Sequence, residues 1–449
     1  MFSIFDKGDH LLKETAIDIF QAALQAVDPY VAVHQHMDRV VSLYRDGAYT
    51  RLYVIGIGKA AFPMMRAVVD DVGARVTKGI VLTKYGHAEQ GVLPGYIDVL
   101  EAGHPVPDEK GLAATRKIID TLDMADDRTL VLCLISGGAS ALLVAPHEKI
   151  SLAEKQQVTQ HLLKAGADIF ELNTVRKHIS RAKGGRLAEH AFPARVMSLI
   201  LSDVIGDPLD VIASGPTAPD ASTYEDAMRV IRKYGLEDRI PKSVLSVLTE
   251  GLAGNIPETP KRDHPAFTRV ENIVIGSNRK ATEAAQLRAQ QMGYESTILG
   301  CDFQGEASDV GKFFAKKTLE VRHEITGKKD RKICLIAGGE TTVKVSGNGI
   351  GGRSMEMALV VAKEIAGSKG ILFLSAGTDG TDGPTDAAGA IVDGKTLSEA
   401  RDAGLDSDIF LRNNDSYNFF KPIHGLIMTG PTGTNVMDIH IMLIEDRVE

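Results

Sequence analysis

The chain has 449 residues, room for two or three domains at roughly 150 residues each. Lys plus Arg number 51 and Asp plus Glu 59, a net charge of −8 that argues against a nucleic-acid partner. Hydrophobic residues at 44% and charged residues at 24% exclude a disordered chain and supply a large core.

The first twenty residues carry charges throughout and show no apolar leader, so the chain is read as cytoplasmic, with no membrane partner. Leu12, Ala16, Phe20, Ala23, Leu24 and Val27 recur at helical spacing until Asp28-Pro29 stops the pattern. A repeating unit follows: a short apolar run, a glycine-rich turn and a helical pattern. Residues 51–55 lead into Gly56-Ile57-Gly58-Lys59 and a helix over 60–72. Further strands are predicted over 79–83 and 97–100. The longest uncharged stretch, 129–146, is split by Ser136-Gly137-Gly138 into a strand over 130–135 and a second element, so it does not span a membrane. A strand over 196–201 leads into Ser202-Asp203.

The polar, Pro-rich stretch 256–265 reads as a linker, giving a first domain over 1–265 and a second over 266–449. The rhythm then restarts. Residues 272–275 lead into Gly276-Ser277-Asn278, and 332–337 into Gly338-Gly339-Glu340. Residues 341–345 alternate like a strand before the cluster Gly347–Gly352, and 371–375 lead into Gly377-Thr378-Asp379. Alternation of this kind predicts an α/β fold, with a parallel sheet covered on both faces by helices. Cys133, Cys301 and Cys334 are far apart and form no CxxC pair, so they read as buried small apolar residues in a reducing compartment.

Ligands of such sheets bind beyond the carboxyl ends of the strands. Glycine-rich turns there suit anions, because backbone N–H groups can approach closely, although any one of them can be only a turn. Gly56-Ile57-Gly58-Lys59-Ala60-Ala61 fits the dinucleotide pattern GxGxxA. Lys84 stands where a ribose-binding carboxylate belongs, which weakens the nicotinamide reading. Lys59, inside its turn, and Arg353, at a predicted helix start, are placed to meet phosphates. A Walker A motif is absent. Asp203 and Asp207 form one acidic group; Asp379, Asp382 and Asp386 form another, which suits either a Mg²⁺ site or an acidic turn. Arg176, Lys177, His178, Lys183 and Arg186 form either a substrate-facing basic patch or a solvated helix face. The 13 histidines show no zinc spacing, and no GxSxG elbow occurs.

Several motifs then coincide. They include Gly58-Lys59-Ala60, AGHPVPDE at 102–109, LISGGASALL at 134–143, NTVRKHIS and KGGRLA within 173–188, LSDVIGDP and IASGPTAPD within 201–220, GSNRKA at 276–281, GGETTV at 338–343, GGRSMEMAL at 351–359, SAGTDGTDGPTDAAGA at 375–390 and TGPTGTNVMD at 429–438. Together, and in this order, they resemble the glycerate 2-kinase family with its C-terminal MOFRL domain. The sequence departs from the usual GGRNQE at Ser354-Met355, and the loop after Asp203 is shorter than is common.

The resemblance implies two Rossmann-like α/β domains with mostly parallel sheets and an active site in the interdomain cleft. It implies phosphorylation of the 2-hydroxyl of D-glycerate, with ATP as co-substrate and Mg²⁺ as cofactor. Lys59, Arg353, Asp203 and Asp379 match the family's active-site residues, and Asp203, Asp379 and Asp382 are the candidate metal ligands. Ser136, Gly137, Gly138, Ala139 and Ser140 are assigned to the substrate. Gly56, Gly58, Gly276, Ser277, Asn278, Gly338, Gly339, Glu340, Gly351 and Gly352 are assigned to the nucleotide. Which aspartate is the base and which holds the metal stays open, as does the choice between monomer and homodimer. Members of the family have also been labelled hydroxypyruvate reductase, so an NAD(P)H-dependent reductase is the alternative activity. A non-catalytic nucleotide sensor is a third reading.

Overall fold

The computed structural model describes residues 7–88, 92–328 and 331–446. The leaderless reading of the first twenty residues falls partly on residues 1–6, outside that set. Among the described residues no helix is long and apolar enough to cross a membrane. The chain forms two compact units, Pro29–Ile275 and Met1–Asp28 with Gly276–Glu449.

Pro29–Ile275 is built on six parallel strands: β1 (Arg51–Ile57), β2 (Val76–Lys84), β3 (Ile97–Ala102), β4 (Thr129–Ile135), β5 (Arg195–Leu201) and β6 (Val270–Gly276). Their order is β3-β2-β1-β4-β5-β6. Alternate residues of β1 and β4 face opposite cores, the two-residue period of a strand. Tyr53, Ile55, Ile57, Val131, Cys133 and Ile135 pack on the side of helix Glu109–Leu122. Leu52, Val54, Leu130, Leu132 and Leu134 pack on the side of helix Ala61–Val72. Burial on both faces explains why these strands read as unbroken apolar runs. Between β4 and β5, and again between β5 and β6, the chain leaves the sheet. Helices Leu152–Lys164, Ile169–His178, Tyr224–Lys233 and Lys242–Leu252 gather there around their own apolar cluster. The first three begin in capping boxes, Ser151 with Glu154, Asp168 with Glu171 and Thr223 with Asp226.

The other unit holds β7 (Glu295–Phe303), β8 (Lys332–Gly339), β9 (Ile371–Gly377), β10 (Gly389–Asp393), β11 (Leu426–Ile427) and β12 (Asp438–Glu445), in the order β11-β10-β9-β12-β8-β7. β7 and β8 pair in parallel, while β12 runs against both β8 and β9, and β10 against both β9 and β11. So β7, β8, β9 and β11 share one direction, with β10 and β12 opposed.

Three expectations change. The units divide at Ile275/Gly276, not near 265, because the polar stretch leads into β6, the sixth strand of the first sheet. Helix Lys7–Ala26 joins the second unit, where Leu12, Ala16, Ile19, Phe20 and Ala23 pack on Ala281, Ala285 and Ile336. The alternating residues 341–345 form no strand; β8 is already paired on both edges, and only a single bridge joins Thr342 to Glu306.

Candidate active site

In the first unit the strand order reverses between β1 and β4, and the turns after these two strands meet there. The first turn folds against the second. Gly58 N–H donates to the Leu82 carbonyl (3.0 Å), Lys59 N–H to the Gly137 carbonyl (2.9 Å), Ala60 N–H to Ser136 Oγ (3.1 Å) and Ala61 N–H to the Gly58 carbonyl (3.2 Å). Every N–H that a dinucleotide pyrophosphate would need at this turn is therefore engaged within the protein. Gly58 has φ +125°, and a Cβ there would overlap the hydroxyl and carbonyl oxygens of Ser136. Gly58→Ala is expected to cost roughly 1–3 kcal/mol, read as a lower urea midpoint, because the substitution adds both backbone strain and overlap.

The second turn is different. Among the described residues no hydrogen bond runs from the Gly137 or Gly138 N–H to a protein acceptor. Gly138, at φ +83°, turns the chain so that two unengaged donors stand together, a concave anion site of backbone origin. Three side chains surround it. Lys59 Cγ and His104 Cδ2 each lie 3.1 Å from the position a Cβ on Gly138 would take, and Asp203 Cγ lies 3.1 Å from that on Gly137. Burial, followed by the charges of Lys59, Lys84 and His87, pushes the His104 imidazole down to about 4. His104 is thus neutral at pH 7, a hydrogen-bonding group and not a third cation. His87 Nδ1 donates to the Lys59 carbonyl (3.0 Å), which fixes the lysine's backbone. Ser136 and Ser140 are tied into the fold: Ser136 Oγ closes the first turn, and Ser140 Oγ lies 2.6 Å from Ser214 Oγ.

In the second unit, Arg353 opens helix Arg353–Glu364. Its Nε and Nη2 donate to Asp438 (2.6 and 2.9 Å), and its Nη1 pairs with Glu340 (2.8 Å). These acids hold the guanidinium above its ordinary range despite burial. The preceding glycine cluster is laced to residues 413–415: the N–H groups of Gly347, Asn348, Gly349 and Ile350 donate to Asn414, Asn413 and Asp415. Gly351 and Gly352 show no such bond among the described residues, so this cluster too keeps donors unengaged only at its helix end.

Asp382 accepts from the N–H groups of Ser354 (3.2 Å) and Met355 (2.8 Å), and so caps that helix. Each of its oxygens takes one of these bonds, so the carboxylate has a structural task at the helix start. Asp379 Oδ1 is held by Thr381, leaving Oδ2 with no hydrogen bond among the described residues. Gly338 and Gly339 are close-packing positions, against the Asn278 side chain and the Phe303 backbone. Asn278 donates to the Val436 and Asp438 carbonyls (2.9 Å each), holding the start of β12, and Ser277 caps its own helix. Gly276 ends β6, and Gly56 packs on Ala61. These six residues all have packing, capping or strand-end roles within the fold.

Burial, then the charge of Asp438, pushes Asp382 up to about 7. The folded form then binds a proton that the unfolded chain, near 3.8, has already released. This contribution is present in full below that lower value and is lost as pH rises through about 7. Asp382→Asn keeps a capping oxygen and removes the titration. Thermal melts between about pH 5 and about pH 8 should show the wild type losing stability relative to the variant, at up to about 1.4 kcal/mol per pH unit.

A family model described as a domain of unknown function, DUF4147, matches residues 15–249, and the MOFRL family matches residues 333–438. The D-glycerate 2-kinase of Thermotoga maritima is 44% identical over 439 residues, which cover 96% of this chain and 98% of that protein. The chain belongs to the glycerate 2-kinase family. The glycerate 2-kinase of Pyrococcus horikoshii is 40% identical, covering 97% of this chain and 98% of its own. The crystal structure of Thermotoga maritima glycerate kinase aligns with a TM-score of 0.88 over 97% of this chain and 100% of that one.

Against the family's motifs, the structure gathers Lys59, Asp203 and the 136–140 loop in one unit. It gathers Arg353, Glu340, Asp379 and Asp382 in the other. Sequence reasoning missed His104, although it lies inside the motif at 102–109, because a lone histidine carries no spacing signal. It left the basic residues at 176–186 undecided. Lys177, His178 and Lys183 are in fact buried, so the solvated-face reading fails for them.

Proposed function

We propose that the chain transfers the γ-phosphoryl group of ATP to the 2-hydroxyl of D-glycerate, giving 2-phospho-D-glycerate and ADP. The pair of unengaged N–H groups at Gly137 and Gly138, flanked by Lys59 and Asp203, carries this reading. It offers a small acid both a donor pocket and a general base. The near full-length likeness to glycerate 2-kinases supports it.

The glycerate carboxylate and hydroxyls bind at the 136–140 loop, and the nucleotide phosphates at Gly351-Gly352-Arg353. The 2-hydroxyl oxygen forms the new P–O bond as the bond to the ADP oxygen breaks, and the hydroxyl proton passes to a carboxylate. Asp203, beside the loop, is the base in this scheme. Asp379, with one oxygen unengaged, suits Mg²⁺ held through water, which would neutralise triphosphate charge. Lys59 and Arg353 stabilise the charge that builds on the transferred group. The free, separated cysteines fit a cytoplasmic setting.

A reductase would need the β1 turn to receive a pyrophosphate, and its N–H groups are engaged elsewhere. Coupled ADP release with D-glycerate, against NADPH oxidation with hydroxypyruvate, separates the two. ADP release is the expected result, and NADPH oxidation without it would refute the kinase reading.

A further inference from the structure

Beneath the 136–140 loop lies a group of basic side chains with no counter-ion among the described residues. Lys183 is fully buried, and its Nζ donates to the Ser140 carbonyl (2.7 Å). Arg176 Nη2 donates to the same carbonyl (3.0 Å) and to Ser140 Oγ (2.7 Å), while its Nε is buried with no acceptor. Lys155 is 1% exposed, and no hydrogen bond or ion pair of its Nζ occurs among the described residues. No carboxylate pairs with any of the three among the described residues. Asp220, in the same region, is engaged by Lys177, Ser222 and Thr259.

Buried charge without a partner is costly, because water's solvation is lost with nothing to replace it. The surrounding positions do not relieve it. Ser214 donates to Asn173 (2.9 Å), and Ala213 and Ser214 hold left-handed φ of 55° and 62°, a strained stretch packed against this loop. Mutual repulsion and burial press the ammonium groups toward neutrality. Lys155 is pushed down to about 7 by burial and then by Arg176, and Lys183 well below its ordinary value by burial and then by Arg176 and Lys155. A structural cluster would gain from a carboxylate paired with it, and none of the described residues supplies one. An anion arriving from solution would complete it.

We infer that Arg176, backed by Lys155 and Lys183, is the anchor for the substrate's carboxylate and the determinant that selects a hydroxy acid over a neutral polyol. This rests on the reading of the 136–140 loop as the acceptor site. Arg176 is the partly exposed member and meets the carboxylate. Lys183 and Lys155 are positioning residues: one grips the Ser140 carbonyl, and the other supplies charge from behind. A carboxylate is favoured over a phosphate because the cluster is attached to the acceptor loop, where glycerate's carboxyl carbon is one bond from the carbon bearing the reacting hydroxyl.

Lys155→Met is the informative variant, since it fills the same space and removes the charge. Its melting temperature without ligand should rise, as an uncompensated charge is lost, which guards against misfolding as an explanation. The KM for D-glycerate should rise about tenfold or more, with kcat and the KM for ATP within about twofold. Arg176→Lys should raise the same KM further, because one donor geometry is lost. An unchanged glycerate KM in both variants would overturn the assignment.

A second readout needs no turnover. D-glycerate alone should raise the wild-type melting temperature, glycerol should not, and Lys155→Met should lose the effect. If the wild type releases no ADP with D-glycerate yet shows this protection, the kinase reading fails and the anchor stands. Protection by inorganic phosphate but not by D-glycerate would overturn the carboxylate assignment.

Discussion

Lys59→Ala lowers kcat for D-glycerate phosphorylation by a factor of about 10² to 10³, roughly 3–4 kcal/mol of barrier, and leaves the melting temperature nearly unchanged. The two halves of that expectation have separate causes. The Lys59 backbone is fixed by the Gly137 carbonyl and by His87, and neither bond involves its ammonium group. Removing the side chain therefore spares the turn. Its side chain, however, runs past Gly138, one of the two unengaged donors where the substrate oxygens are to gather. Steady-state kinetics together with a thermal melt decides the matter. Full activity would remove Lys59 from the chemistry, and a collapse in stability would give it a structural role instead.

Arg353→Ala should do both kinds of damage. Asp438 is 1% exposed and loses a two-pronged partner, so the fold should weaken by about 3 kcal/mol. The kcat should fall by about 10² or more, since the guanidinium stands fixed at the start of the helix, beside the unengaged Gly351 and Gly352 donors. Arg353→Lys restores charge but not the fork, and should recover more stability than rate. Urea unfolding of both variants, alongside kinetics, reads the two effects apart. An Arg353→Ala variant with wild-type stability would mean that Asp438 finds another partner.

The contrast between Lys59 and Arg353 shows how far the sequence reaches. Both residues were legible because each sits in a glycine turn between an apolar run and a helical pattern. What those glycines do was not legible. Gly58 and Gly338 admit neighbouring side chains, whereas Gly137 and Gly138 leave donors unengaged; the distinction depends on hydrogen bonds to residues far along the chain. The parallel sheet followed from unbroken apolar strands. The insertion of β12 between β8 and β9 did not, because strand order in the second unit is set by packing of the last segment and not by local pattern. Asp382 reads in sequence as one of three equivalent acids, and only its two bonds to the helix start reveal a cap. Arg176 and Lys183 lie apart along the chain, and only folding brings both to the Ser140 carbonyl, with Lys155 buried nearby.

The proposed acceptor is the 2-hydroxyl of glycerate, presented at the 136–140 loop. Proton-coupled phosphorus NMR of the product formed from ATP and D-glycerate tests this most directly, because a phosphate on the central carbon couples to a single carbon-bound proton and one on the terminal carbon to a pair. The expected result is a doublet growing in step with ADP. A triplet, or ADP release with no phosphorylated acid at all, would contradict it.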